Sequence, residues 1–417
     1  MFFVLVPLTL VYVCAVAAVW IGLGRLGEGK NTRRYSVSVV VAARNEEGNI
    51  GRCLEQLVLQ DYPSDRYEVV VVDDRSEDGT GEIVEDFGRR YDNVRLVRVD
   101  AVPVGLSAKK HALGEGIAAS KGEIILVTDA DCLPGRGWIS GMMQYFEPDV
   151  GMVAGYSPFK LGEGLFGAAA GVLEQVIAAG VNEEYREVAF SGGMGSVGVS
   201  SISIEPQIWT GSQRLWHSFF ERLLAFEAMV TATLAAGGIG VGVGVTCAAR
   251  NLGYRREVFE EVEGFSKIGK ARSGDDTLLL QLVGKETKWK VRYAIAPETF
   301  VETFPPEGLG AFFDQRTRHL STAKLFTKPL FVLAGMVYLF DLLLIVSVPW
   351  GLIEGTVLPL ICFGAKVLAD WTAIWRSSGL FGGRRLLGLF PLMEVLYPPY
   401  IVLFGALGAF KSFRWKE

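Results

Sequence analysis

Cysteine is scarce in this chain and unpatterned. The five residues, Cys14, Cys53, Cys132, Cys247 and Cys362, show no C-x-x-C spacing. This argues against a disulfide framework and a structural zinc site, and it fits a reducing cytoplasm. Excess positive charge is missing too: 41 Lys and Arg face 46 Asp and Glu, a formal net charge of −5. No basic run is interleaved with aromatics, so nucleic acid is not an expected partner. No internal repeat or low-complexity tract appears. Between Met1 and Leu23 there is no charged residue at all.

That uncharged run is long enough to span a bilayer, and Arg25, Lys30, Arg33 and Arg34 follow it. The basic flank predicts a transmembrane helix over residues 1–23 with the next domain in the cytoplasm. A cleaved signal peptide is the competing reading, but the run lacks a basic n-region and a small-residue cleavage site. Three more apolar stretches occupy about Pro329–Trp350, Leu352–Trp371 and Leu386–Phe410, interrupted by Asp341, Glu354, Lys366 and Glu394. Isolated intramembrane charges usually face a bundle interior or lie near an interface. Pro391, Pro398 and Pro399 make the third stretch a kinked or partly interfacial element. Three spans after a cytoplasmic domain would put the basic tail Lys411–Lys416 outside, against the positive-inside rule, so residues 329–410 are expected to hold two to three helices of which one need not cross.

Between the membrane segments the pattern alternates. Apolar runs at Val37–Ala42, Tyr67–Val72, Val94–Val99 and Ile124–Val127 read as buried strands. Asn49–Leu59, Gly81–Tyr91 and Lys110–Ala119 read as helices. Such alternation predicts a parallel, doubly wound α/β sheet, whose ligands bind at the carboxyl ends of the strands. Those ends carry Ala43-Arg44-Asn45-Glu46-Glu47, Asp73-Asp74-Arg75-Ser76-Glu77-Asp78-Gly79-Thr80 and Asp129-Ala130-Asp131. Carboxylates at i and i+2 share one side of an extended chain, so Asp129 and Asp131 can face a hard cation and the phosphates it carries. Asp74 or Ser76 could equally cap the following helix. Lys109 and Lys110 could neutralise a diphosphate, or simply be solvated.

Taken in order, Val39–Glu47, Val71–Thr80, Lys109–Leu113 and Thr128–Cys132 resemble the nucleotide-sugar half of the family 2 inverting glycosyltransferases, which have the GT-A fold. Ala249–Phe259 with Val262–Phe265 resembles that family's acceptor-side segment. Ser273–Leu278 resembles its catalytic acid pair, Asp275 and Asp276, and Gln315-Arg316-Thr317-Arg318-His319 is similar to the Q-x-x-R-W signature of the membrane-embedded branch. The similarity covers roughly Tyr35 to Thr322.

The resemblance implies a GT-A-type mixed sheet flanked by helices in a cytoplasmic domain over 35–322, with a nucleotide-sugar half at 35–132 and an acceptor half at 133–322. It implies that Asp73 and Asp74 contact the uridine of a UDP-sugar, with Ala43 and Glu46 lining the pocket and Lys109 near the diphosphate. Asp129 and Asp131 would hold the donor and a Mg²⁺ or Mn²⁺. Asp276 would be the general base beside Asp275. Gln315, Arg316 and Arg318 would lie against the diphosphate and a lipid or glycan acceptor. His319 in place of Trp weakens the case for a processive polysaccharide synthase. Residues from about Leu161 to Gln213, including the amphipathic run Leu165–Val181 and Gly192–Gly195, have no clear counterpart. Two other readings compete: a catalytically silent sugar-nucleotide-binding membrane protein, and a nucleotidyltransferase, for which the Gly-rich basic loop after the first strand is missing.

Overall fold

The computed structural model describes residues 2–161, 211–271, 273–306 and 308–410. Leu165–Val181, Gly192–Gly195 and Lys411–Lys416 therefore lie outside the described residues.

After helix α1 (Phe2–Arg25), the chain lays down β1 (Val37–Ala43), α2 (Ile50–Val58), β2 (Tyr67–Asp74), α3 (Thr80–Arg90), β3 (Val94–Val99), α4 (Ala108–Ala119) and β4 (Ile124–Asp129). These follow the expected segments to within one or two residues. Both faces of β1, β2 and β4 are covered, so their side chains are apolar on nearly every position and almost all are buried. The register sets Ala43 opposite Asp73 and Ala42 opposite Asp129, so the carboxyl ends of three strands finish nearly flush.

The strands up to β4 are parallel, as the alternation predicts, and beyond β4 the sheet becomes mixed, as the GT-A resemblance implies. The seven-stranded order is β3-β2-β1-β4-β7-β6-β8, with β6 (Val150–Gly155), β7 (Leu252–Arg255) and β8 (Lys290–Ala294). Strand β7 is antiparallel to both β4 and β6, which makes the sheet mixed. A two-stranded antiparallel ribbon, β5 (Cys132–Pro134) with β9 (Val301–Thr303), folds beside it. Helix α5 (Trp138–Met143) lies between β5 and β6, and the short helix α7 (Arg256–Glu261) directly follows β7. Because β1 continues to β2 on one side and pairs with β4 on the other, the chain reverses between β1 and β4, and a crevice opens there.

Five helices among the described residues are long and apolar enough to cross a membrane. Four match the segments read from the sequence: α1, then α10 (Lys328–Glu354), α11 (Leu358–Leu380) and α12 (Phe390–Phe410). The second C-terminal stretch runs nine residues past its expected end, Trp371, and starts only after the break at Gly355, whose left-handed φ of 70° ends α10. The fifth, α6 (Gly211–Gly240), was not expected. It lies between β6 and β7, inside the sheet-forming part, and a run carrying Glu221, Arg222 and Glu227 reads as an ordinary core helix.

Helix α6 joins the two parts of the molecule. Its Phe226, Met229, Ala232, Ala236 and Ile239 share one core with Ile125 and Tyr254 of the sheet and with Ile374, Phe381, Phe390 and Met393 of the C-terminal helices. It crosses α1 at glycines: a Cβ on Gly22 would stand 1.8 Å from the Gly237 carbonyl oxygen, and one on Gly240 would stand 2.2 Å from that of Gly22. Backbones this close need residues without side chains.

Helices α1 and α11 run parallel, since Leu5 and Leu8 cluster with Cys362, Tyr12 bonds Asp370 and Trp20 meets Arg376. Of the interrupting charges, Asp341, Lys366 and Glu394 face inward, while Glu354, the last residue of α10, is exposed. Lys366 lies 2.7 Å from Asp370 and 2.8 Å from Glu394, and Asp341 is buried as well. Helix α12 touches the sheet-forming part at both ends. Phe390 and Met393 join the shared core, and Gly408 abuts Leu320 and Ser321.

Gly22→Leu is expected to destabilise the detergent-solubilised protein by about 1–3 kcal/mol or to prevent folding. Gly27→Leu, at a site where an added Cβ meets nothing within 4 Å, should be neutral. Thermal unfolding followed by size-exclusion fluorescence checks both; equal melting of the two variants would show that the α1–α6 contact is not close-packed.

Candidate active site

Two loops form the crevice wall after β1 and β2, and most of their polar residues bind each other. The Asn45 N–H donates to Ser76 Oγ (3.0 Å) and the Glu77 N–H to Asn45 Oδ1 (2.8 Å). Glu46 N–H reaches Thr80 Oγ1 (2.8 Å), and Gly79 N–H reaches Glu47 Oε2 (2.9 Å). Asn45 and Arg75 take left-handed φ values of 53° and 57° to allow this. Asp73 accepts from Ser76 N–H (3.0 Å) and Asp74 pairs with Arg75 (2.8 Å). Neither Asp74 nor Ser76 caps the following helix, whose N-cap is Gly79 without a side-chain bond; Asp73 instead braces the turn and Asp74 is engaged by Arg75. Both carboxylates are buried beneath the pocket wall, with Ala43 alongside. Glu46 is half-buried and accepts from Asn49 Nδ2 (2.8 Å).

The carboxyl end of β4 gathers the charge. Lys109, one residue into α4, lies 2.8 Å from Asp129 and 3.4 Å from Asp275. Burial opposes the ammonium charge, but Asp129, Asp275 and Asp276 outweigh it and hold the Lys109 pKa well above its ordinary value. Burial likewise opposes ionisation of Asp129, yet Lys109 outweighs it and holds that carboxyl below the usual range. Asp131 has no such ammonium. Burial and the Asp129 charge push it up.

The expectation that Asp129 and Asp131 project from one extended strand needs correction, because Ala130 and Asp131 form a turn between β4 and β5. The turn still brings ligand atoms of Asp129, Asp131 and Cys132 within 4.8 Å of one another. Burial raises the Cys132 thiol well above its ordinary value, so it stays protonated beside the acids. Two carboxylates, one of them destabilised by the other, suit a hard divalent cation that takes its remaining ligands from phosphate and water. The residues present fit Mg²⁺ or Mn²⁺.

The two lysines behave differently. Lys110 is buried and donates to the carbonyl oxygens of Ala271 and Ser273 (2.8 Å to the latter). Burial pulls its pKa down to about 8. It is thus not poised over a diphosphate but ties down the segment leading to the acid pair, a role that the doublet alone did not reveal.

Asp276 caps α8 (Thr277–Glu286), accepting from the Thr277 N–H, and its other oxygen accepts from Ala249 N–H at 3.1 Å. Burial and neighbouring Asp275 nevertheless push it up to about 6. The Ala249–Asn251 turn that meets it is held rigidly: Asn251 donates to the carbonyls of Tyr156 (2.7 Å) and Thr299 (2.8 Å) and accepts from the Trp138 indole (3.0 Å). Between these anchors, Arg250 projects into the field of Asp129 and Asp131. Its charge was missed because Ala249–Phe259 carries three arginines and only position in the fold separates them.

Helix α9 (Gly308–Ser321) splits the Gln315–His319 motif between two faces. Arg318 lies in the field of Asp129, Asp275 and Asp276. Arg316 points elsewhere, pairing at 2.5 Å with Glu227 of α6 over the ring of Phe312. The expectation that Arg316 faces a diphosphate is therefore corrected. Residues i and i+2 diverge by about 200° on a helix, whereas 315, 318 and 319 share a face. Gln315 Oε1 is buried without a hydrogen-bond partner, as are Arg44 Nε, Arg250 Nε and Asp275 Oδ2, which has only the 3.4 Å contact to Lys109.

Residues 38–169 match the model of glycosyl transferase family 2. Among relatives, a glycosyltransferase AglE from Haloferax volcanii is 36% identical over 129 residues, 31% of this chain and 41% of that protein. A beta-monoglucosyldiacylglycerol synthase from Synechocystis is 37% identical over 120 residues, 29% of this chain and 25% of that one. The chain thus spans less than half of either relative. Among solved structures, mannosyltransferase PcManGT from Pyrobaculum calidifontis, in complex with GDP-Man and Mn²⁺, aligns with 98% of this chain and 96% of its own at a TM-score of 0.51 and 17% identity. The mixed seven-stranded sheet flanked by helices is a GT-A fold, and residues 38–169 are similar to family 2 glycosyltransferases.

Lys109→Met should cost about 1–3 kcal/mol of stability, because it leaves Asp129 and Asp275 without their shared cation. Thermal melts at neutral pH measure this; an unchanged melting temperature would mean that both carboxylates are solvated.

Proposed function

We propose that the protein is a membrane-bound inverting glycosyltransferase that moves a sugar from a nucleoside-diphosphate donor, UDP-linked, to a lipid acceptor. The observation that carries this reading is the convergence of Asp129, Asp131 and Lys109 with Asp275, Asp276 and Arg318 at the carboxyl edge of β4. The GT-A fold and the family match over 38–169 support it.

In this reading Ala43, Glu46, Asp73 and Asp74 border the nucleoside. Asp129 and Asp131 hold the Mg²⁺ or Mn²⁺, which when bound supplies positive charge to the departing diphosphate. A divalent ion also accompanies the nucleotide sugar in PcManGT. Lys109, Arg250 and Arg318 surround the same phosphates and meet the charge that develops as the sugar–phosphate bond breaks. Asp276 takes the proton from the acceptor hydroxyl, whose oxygen forms the new bond on the face opposite the departing nucleoside diphosphate. One displacement inverts the anomeric centre. Backbone N–H groups of Ala249 and Thr277 fix the carboxylate, and Asp275, through Lys109, keeps it near the donor site.

A lipid acceptor is favoured by place. Gln315, Arg318 and His319 lie on a helix that ends seven residues before α10 begins, so the acceptor hydroxyl arrives at membrane level. The synthase relative from Synechocystis is named for a glycolipid product. The catalytic part lies in the cytoplasm, with α1, α10 and α11 crossing and α12 remaining on the catalytic side. The basic tail then satisfies the positive-inside rule.

Asp131→Asn should lower turnover by about two orders of magnitude or more in a folded protein, and excess chelator should abolish activity. Detergent-solubilised enzyme, a panel of nucleotide sugars and measurement of released nucleotide provide the test. Full turnover in chelator rejects the metal assignment, and no turnover with any donor rejects the enzyme itself.

Asp276 must be ionised to accept a proton, and its value of about 6 means that kcat should fall as pH drops through that point. Asp276→Asn should reduce kcat strongly with donor affinity nearly intact. A matching loss of donor affinity would make Asp276 a donor ligand.

A further inference from the structure

The domain-side ends of α1 and α11 enclose an open groove of about 520 Å³, away from the β4 crevice, lined by Trp20, Trp371, Trp375, Arg376 and Arg384. The boundary level follows from the packing. Trp20 is five residues before the end of α1, Arg376 four before the end of α11, and Phe381 just beyond packs on Tyr156 and Tyr293 of the catalytic part. Trp375 is 55% exposed and Trp20 42% exposed, an arrangement suited to the headgroup zone, where indoles place an apolar body in lipid and an N–H toward water.

The guanidinium groups are given room here. Arg376 Cζ lies 4.6 Å over the Trp20 ring, and a Cβ on Gly24 would come within 2.5 Å of Arg376 Nη2. On the other side Arg384 Nη2 lies close to Gly379, 3.7 Å from where a Cβ would stand, at ordinary contact distance. Among the described residues neither arginine forms an ion pair with a carboxylate. Two cations uncompensated by the protein, set in an aromatic frame at the membrane boundary, call for an anion that arrives with an acyl chain.

We propose that this groove binds the headgroup of an anionic phospholipid from the leaflet facing the catalytic part. The guanidinium groups of Arg376 and Arg384 take the phosphate oxygens, while Trp20 and Trp375 flank the upper acyl chains. Bound lipid would pin α1 to α11 at the point where both meet the catalytic domain. The proposal rests on the membrane reading but not on the glycosyl-transfer chemistry, so it is tested by binding alone.

Native mass spectrometry of the full-length protein in detergent, offered phosphatidylglycerol or phosphatidylcholine, provides the test. The wild type should retain phosphatidylglycerol about tenfold more than phosphatidylcholine, and R376Q/R384Q should bring the two near parity. Arg384 is exposed, so R384Q alone keeps the test available if the double variant does not fold, and should lose part of the preference. Equal retention of the two lipids by wild type, or an undiminished preference in the variants, would overturn the proposal. Displacement of bound lipid by millimolar inorganic phosphate would assign the groove to free phosphate instead. Recovery of the protein from cells without detergent would count against the membrane reading, a failure distinct from these.

Discussion

Lys109 stands 2.8 Å from Asp129 and 3.4 Å from Asp275, and this shared ammonium lets acids from two distant stretches of chain be buried side by side. Without it the crevice would hold like charges offset only by the more distant guanidinium groups of Arg250 and Arg318. The rest of the site follows from that constraint. Lys109 must lie in the first turn of α4, so the preceding loop has to bring the helix to the carboxyl edge of β4. The acid pair must approach from the other half, so Lys110 holds the segment before it by the carbonyls of Ala271 and Ser273. One doublet thus supplies a charge to the site and a tether to its far wall.

The order of strands and helices up to β4 was legible because buried parallel strands are written as unbroken apolar runs, and the acids that follow each run stand out against them. Later elements were not. Strands β6 to β8 come from stretches with no alternating βαβ rhythm, and β7 follows a long helix rather than a crossover of ordinary length. The site residues were legible where spacing forced a common location, as with Asp129 and Asp131. They were misread where a motif mixes faces, as with Arg316, whose guanidinium serves Glu227 on α6. The motif Asp73–Thr80 shows a further limit. Its composition is as much that of a tightly laced turn as of a ligand pocket, and only coordinates show that Ser76, Glu77, Gly79 and Thr80 bond to residues 45–47.

The membrane part shows the same division. Hydropathy located α1, α10, α11 and α12, and three of the four charges that interrupt the C-terminal stretches, Asp341, Lys366 and Glu394, turn inward. Hydropathy could not locate the contact of α6 with α1, because glycines at 22, 237 and 240 carry no hydrophobic signal; they matter through what they lack. Nor does composition say whether α12 crosses. Its packing was equally hidden: Phe390 joins the core shared with the sheet, and Gly408 abuts Leu320 and Ser321.

Phe381 has a consequence for how this architecture can be divided. Its ring packs 4.8 Å from that of Tyr156 and 6.0 Å from that of Tyr293, so a residue at the end of a membrane helix completes the floor of the sugar-nucleotide fold. A soluble fragment ending before residue 328 would lose that ring along with Ile374, Phe390 and Met393, and would expose the apolar flank of α6 to water. The sheet-forming part is therefore not a module separable from the apolar helices. Recombination that exchanged its membrane helices for those of an unrelated protein would have to rebuild its core as well.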